Sequence, residues 1–246
     1  MKRLNVPSVQ HLPRNWHPEH ELVTKSLIKL AEYPPWVSYN PLYGAMRDLL
    51  VLKTPYESLV AGFNQIKNEK RRKPLLEILP LIRDHFDGIS PDFFQMVQKR
   101  YYPVGRNLKV PFEPPMVYGV GGQLYFPWCI FWRNNPYSKN NALAEERLSL
   151  FVTLVDEIIL QDPDLDEARF EILDFSSPSP KLSRTLEVID GREIPRLSEK
   201  RKKDMLEIFA EGYFRAKDQL ANKKDSEARS DNSPPQPDPN QPGLFD

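Results

Sequence analysis

The sequence predicts an α+β protein: a helical N-terminal half, a mainly antiparallel sheet with packed helices (ββαββα) in the C-terminal half, and a disordered tail. Three observations carry that prediction. Apolar residues recur at helical spacing through residues 21–100; aromatic and β-branched runs then flank Gly121-Gly122; and residues 222–240 hold no large apolar side chain. The chain divides accordingly into an extended N-terminal arm (1–20), a helical region (21–100), an α+β region (101–221) packed with it as one domain, and a disordered Pro-rich tail (222–246).

Pro7, Pro13 and Pro18 among polar residues make residues 1–20 read as an arm outside the packed elements. Leu22, Leu27, Ile28, Leu30 and Ala31 then predict a helix over 21–33, stopped by Pro34-Pro35. A second helix follows over 41–52, and a third from Thr54-Pro55, where Thr suits the cap and Pro the first turn. Two more are expected over 74–85 and 91–100, the latter led by Ser90. After Tyr101 prolines break the chain. Residues 116–120 and 123–132 form a hairpin around Gly121-Gly122, since paired glycines supply the positive φ of a tight turn. The second strand is almost wholly apolar, which implies burial on both faces, whereas its Pro127 favours an edge or a bulge. Residues 141–161 read as a helix with Ser149, Thr153, Asp156 and Glu157 on its polar face. Strands at 168–175 and 184–189 and a final helix from Ser198 to about Ala221 complete the pattern.

Thirty-four Lys and Arg balance 34 Asp and Glu, so the whole chain lacks the field of a generic polyanion binder, although a local basic patch remains open. One cysteine, Cys129, precludes an internal disulfide framework and a multi-cysteine zinc site, and inside its apolar strand it reads as a packing residue. No run approaches the roughly 18 apolar residues of a membrane span, and no apolar stretch follows the N-terminus as in a secretory signal. A cytoplasmic protein with no membrane contact is expected.

His11, His17 and His20, with Glu19, lie close in sequence, but Pro18 between His17 and His20 removes the helix that would aim both imidazoles at one ion, so no metal ligand and no cofactor is assigned. Lys99, Arg100, Arg106 and Lys109 interleave with Tyr101 and Tyr102, the combination of cations and rings that single-stranded nucleic acid uses. Lys67–Lys73 and Lys200–Lys203 are further basic clusters. Glu171 and Asp174 on one expected strand and Glu187 on the next are carboxylates that could hold a divalent ion.

The chain ends Gln241-Pro-Gly-Leu-Phe-Asp246. Gln followed three and four positions later by Leu and Phe resembles the peptide by which bacterial replication and repair proteins dock on the sliding clamp. The resemblance implies that Leu244 and Phe245 fill an apolar pocket of the clamp while the Gln241 amide is hydrogen-bonded at a neighbouring subsite. Pro242 and Gly243 depart from the family's usual residues, which implies weaker affinity than a consensus peptide. The order of hairpin, helix, two strands and helix also loosely resembles the later half of the PD-(D/E)XK nuclease fold. That family needs an acidic residue and an E-x-K element on its hairpin; here Tyr125 to Arg133 holds no carboxylate. The sequence thus favours an accessory, non-catalytic protein of bacterial DNA replication or repair that docks on the clamp. Its alternatives are a metal-dependent phosphodiesterase, intact or degenerate, using Glu171, Asp174 or Glu187, and an interaction module unrelated to DNA.

Overall fold

The computed structural model describes residues 4–34, 38–113, 116–134, 143–162, 165–179 and 181–231, with side chains as far as Lys223. These residues form seven helices and seven strands, an α+β fold. The helices are α1 (His11–Asn15), α2 (His20–Glu32), α3 (Asn40–Leu50), α4 (Tyr56–Asn64), α5 (Glu69–Phe86), α6 (Ala144–Ile159) and α7 (Glu199–Asp231). The strands are β1 (Phe93–Gln95), β2 (Arg100–Gly105), β3 (Leu108–Phe112), β4 (Val117–Val120), β5 (Gln123–Ile130), β6 (Arg169–Asp174) and β7 (Glu187–Asp190).

Five strands make one sheet in the order β1-β4-β5-β6-β7, and β2 and β3 form a separate hairpin. Every pair in the large sheet is antiparallel except β5 and β6, which run parallel from Tyr125↔Arg169 to Ile130↔Asp174. The parallel pair requires a crossover, and α6 supplies it. Alternation along β5 and β6 sends Phe126, Trp128, Ile130, Phe170 and Ile172 into a core with α1, α2, α6, α7 and the β2–β3 hairpin. Cys129, Phe131, Leu173 and Phe175 enter a second core with α3, α4 and α5. The sheet is therefore a middle layer between two layers of helices, and its central strands are buried on both faces as their unbroken apolar sequence predicts.

The β4–β5 hairpin turns at Gly121 and Gly122, whose φ values are +58° and +81°. Pro127 lies inside the sheet rather than at an edge. It is tolerated because β4 pairs with β5 only as far as Tyr125. The space beside β5 beyond that point is taken by the N-terminal segment, where Gln10 donates from Nε2 to the Cys129 carbonyl at 3.0 Å. Residues 4–20 are thus not an extended arm. Val9, Leu12 and Trp16 are fully buried, the Val9 amide donates to the Pro111 carbonyl, and the Trp16 indole donates to the Met205 carbonyl at 3.0 Å. Three prolines do not prevent packing when apolar residues between them meet a core.

Further departures have local causes. Residues 91–100 do not form the expected helix: Asp92 exchanges hydrogen bonds with the β4–β5 hairpin, its N–H to the Gly119 carbonyl and its Oδ2 from the Gly121 N–H. Phe93 and Phe94 consequently pair with Gly119 and Tyr118 as β1. The prolines at 103 and 111 fall on outward positions of β2 and β3, so they punctuate a hairpin instead of preventing one. Helix α5 starts five residues before Pro74, because Asn68 caps it by accepting from the Arg71 N–H. Helix α7 continues ten residues past the expected boundary at 221, with no Gly or Pro to interrupt it before Pro234. It packs along α2 with Gly212 against Val23, where an added Cβ would lie 2.6 Å from the valine. No helix among the described residues is long and apolar enough to cross a membrane.

Replacing Trp16 by Ala should lower stability by about 3–5 kcal/mol, the range for deleting a fully buried aromatic. Urea denaturation would show this as a lower midpoint; a loss below about 1 kcal/mol would mean that the N-terminal segment does not belong to the cooperative core.

Candidate functional site

The first residues to place are the six suggested as a nucleic-acid surface. Alternation in β2 turns Tyr102 and Val104 inward and Tyr101 and Pro103 outward. Tyr101 is 59% exposed, with the Lys99 ammonium 5.5 Å from its ring. The cations around it are engaged: Lys99 with Glu113, Arg100 with Asp162, and Arg106 with Glu211 at 2.8 Å. Lys109 stands opposite Pro103 on the exposed side. A phosphate would have to compete with a carboxylate for three of the four cations, which reduces the electrostatic gain of binding there.

Tyr102 belongs instead to a polar seam joining β2, α6 and α7. Its hydroxyl donates to Glu157 at 2.6 Å, and the Lys202 ammonium is held between Glu157 and Glu199. Burial, reinforced by the bond to Glu157, pushes the Tyr102 hydroxyl well above its ordinary range. Burial opposes the charge on Lys202, but its two carboxylate partners outweigh that and raise its pKa above 10.5. Neither group is poised to exchange a proton near neutrality; their role is to fasten three elements. Beside them lies a groove of about 430 Å³ lined by Tyr102, Val104, Glu199, Lys200, Lys203 and Leu206, so the structure brings the Lys200–Lys203 cluster against β2. The polar face of α6 foreseen in the sequence is the other half of this seam. Thr153 accepts from the Leu197 N–H at 3.0 Å, and Asp156 pairs with Arg196 at 3.1 Å.

A second polar cluster lies at the carboxyl ends of β5 and β6, beyond the parallel pair. Arg184, whose side chain is 2% exposed, donates to the Phe131 and Phe175 carbonyls at 2.9 Å each and pairs with Glu77. Arg133 pairs with the same Glu77 at 2.8 Å and donates to the Leu182 carbonyl. One carboxylate thus serves two guanidiniums from either side of the loop that follows β6. The sequence expectation of a strand beginning at Arg184 is corrected here, since pairing with β6 starts only at Glu187. Nothing in the local pattern marks Glu77, Arg133 or Arg184, because Glu77 stands 56 residues from Arg133 and 107 from Arg184 in sequence.

The three carboxylates considered for a metal do not come together. Glu171 shares its sheet face with Leu173 and Phe175, whereas Asp174 lies three positions on and faces the opposite side with Phe170 and Ile172. Glu187 stands opposite Asp174 on β7, and Asp190 opposite Glu171. Asp174 is buried and accepts from the Ser176 N–H at 2.9 Å and hydroxyl at 3.2 Å, the geometry of a turn. Glu171 is buried beside Arg169 at 3.1 Å. Burial pushes its carboxyl above the usual 4.5, Arg169 pulls the other way, and Asp190 adds to the rise. His11 is held neutral near pH 7, its pKa lowered to about 4 by burial and then by Arg14. Cys129 is a buried free thiol whose pKa burial raises, consistent with packing. Gln241, Leu244 and Phe245 lie outside the described residues.

Two expectations follow. Removing Arg184 by Arg184→Ala should cost about 3–5 kcal/mol, because two buried carbonyls and part of Glu77 lose their donor. Glu171→Gln should stabilise the protein near neutral pH. A carboxyl whose folded pKa is raised carries no penalty below its unfolded value and an increasing one as pH rises through and beyond it. Urea midpoints of the two proteins should therefore diverge as pH rises above about 4.5 and stay apart once pH exceeds the folded value; destabilisation by the variant at neutral pH would mean that the Arg169 pair outweighs burial.

No family model, curated protein or solved structure matches this chain, so its functional reading rests on its own residues.

Proposed function

We propose that this chain is an accessory, non-catalytic cytoplasmic protein of bacterial DNA replication or repair that docks on the sliding clamp through Gln241, Leu244 and Phe245. The observation that carries the reading is the Gln-x-x-Leu-Phe peptide, which follows a run from Asn222 to Asn240 without a large apolar residue. In such a peptide two apolar side chains contribute most of the affinity, about 1.5–3 kcal/mol each when fully buried, and the Gln amide sets the register.

The described domain supports this division of labour. Its cations around Tyr101 are largely occupied by carboxylates, which suits a body brought to DNA by attachment to a ring rather than by its own charge. The separation of Glu171 from Asp174 and Glu187 across the sheet weighs against the phosphodiesterase alternative in the form that needs all three at one ion.

A fluorescent peptide of residues 236–246 should bind purified bacterial clamp at micromolar concentration, and Leu244→Ala or Phe245→Ala should each weaken it at least about tenfold. Absence of binding at about 50 μM, or indifference to both substitutions, would overturn the reading.

A further inference from the structure

The five-stranded sheet has two edges, and they differ in length. Strand β1 is only three residues long. The ladder of β7 on β6 reaches beyond the strand itself, from Thr185, whose N–H donates to the Ser176 carbonyl at 3.1 Å, to Gly191, whose N–H donates to the Phe170 carbonyl at 2.9 Å. At about 3.4 Å per residue this edge runs for about 20 Å. In an antiparallel ladder alternate residues turn their main-chain groups toward the partner strand. Thr185 and Gly191 face β6, so Glu187 and Ile189 do too, while Leu186, Val188 and Asp190 turn theirs outward. The Asp190 carbonyl accepts from the Glu193 N–H. The N–H and carbonyl groups of Leu186 and Val188 have no hydrogen-bond partner among the described residues, and no described helix or strand other than β6 lies along β7.

Proteins commonly blunt such an edge with proline, lysine or a bulge. Thr185 to Gly191 holds no Pro, Lys or Arg, and Val188 is 46% exposed. Both charged residues of this stretch are acidic, and each stands opposite a further carboxylate of β6. Asp190 lies opposite Glu171 on the face toward α5, and Glu187 opposite Asp174 on the face toward α6. Like charges directly opposite one another destabilise a sheet, and repulsion from Asp190 contributes to the raised pKa of Glu171. Arg169 answers Glu171 at 3.1 Å, but neither Glu187 nor Asp190 has a cationic partner among the described residues.

We infer that the outer edge of β7 is a docking site for an extended basic segment of a partner protein, which adds a strand to the sheet. Its main chain pairs with Leu186 and Val188, an apolar residue covers Val188, and two Lys or Arg side chains meet Glu187 and Asp190 from opposite faces. A second copy of this chain fits the edge poorly. Outward-facing residues must pair with outward-facing residues, so two β7 strands would meet about Val188. Glu187 and Asp190 of both copies would then share one seam, with no cation in either strand. The site does not depend on the clamp peptide and stands or falls separately from it.

A fluorescent peptide Ser-Gly-Lys-Thr-Val-Lys-Val-Gly-Ser tests the site by titration against the full chain. Antiparallel pairing sets its central Val beside Val188, its second Lys beside Glu187 and its first Lys beside Asp190. Binding with a Kd of about 10–100 μM is expected, together with slowed amide hydrogen exchange at Leu186 and Val188. Glu187→Lys should weaken binding at least about tenfold while leaving the fold intact, because Asp174 then faces a cation. Val188→Pro removes an outward N–H and no bond to β6, and should weaken binding to a similar extent. No binding at about 500 μM, or binding indifferent to both substitutions, would overturn the docking site. A concentration-dependent dimer of the full chain that Val188→Pro dissolves, with no binding of the peptide, would assign the edge to a second copy and overturn the basic partner.

Discussion

Strands β5 and β6 lie side by side with large apolar side chains on both faces, and that single fact dictates the layering of the molecule. Phe126, Trp128, Phe170 and Ile172 demand cover on one side, Cys129, Phe131, Leu173 and Phe175 on the other. A half-covered sheet would leave one of these sets in water, at roughly 25 cal/mol for each Å² exposed. Because the two strands are parallel, the connection between them must cross a face, so α6 becomes the inner helix of one layer. Helices α3, α4 and α5 close the opposite face, and the N-terminal segment closes the gap left where β4 stops short.

Polar residues then decide how the outer elements attach. Helix α6 is apolar from Leu150 to Val155 apart from Thr153, and Thr153, Asp156 and Glu157 each meet a partner from residues 196–202. Arg184 does the same at the carboxyl ends of β5 and β6, binding two strand-end carbonyls and the α5 residue Glu77. These seams are satisfied internally, so they read as fastenings. Around Tyr101 three of the four cations likewise have carboxylate partners.

The elements legible in the sequence are those whose signal is local. The helix periods of α2, α3, α6 and α7, the Gly121-Gly122 turn and the double-sided burial of β5 all follow from side-chain spacing. What escaped was decided by contacts between distant segments. Asp92 ties residues 91–95 to the β4–β5 turn and makes a strand where the spacing suggests a helix. Val9, Leu12 and Trp16 sit among prolines yet find the core through Pro111, Cys129 and Met205. In the candidate sites, Glu171, Asp174 and Glu187 were visible as acids, but strand alternation and pairing register, fixed only once β6 and β7 meet, divide them between two faces.

By itself the sequence determined the fold class, the neutral charge balance and the Gln241, Leu244, Phe245 peptide, because composition and short-range spacing are properties of consecutive residues. Tertiary structure decided that Val9, Leu12 and Trp16 belong to the core, that three of the four cations near Tyr101 carry carboxylate partners, and that α7 packs along α2. Each of these depends on residues tens to nearly two hundred positions apart meeting in space, and no local pattern encodes such a meeting.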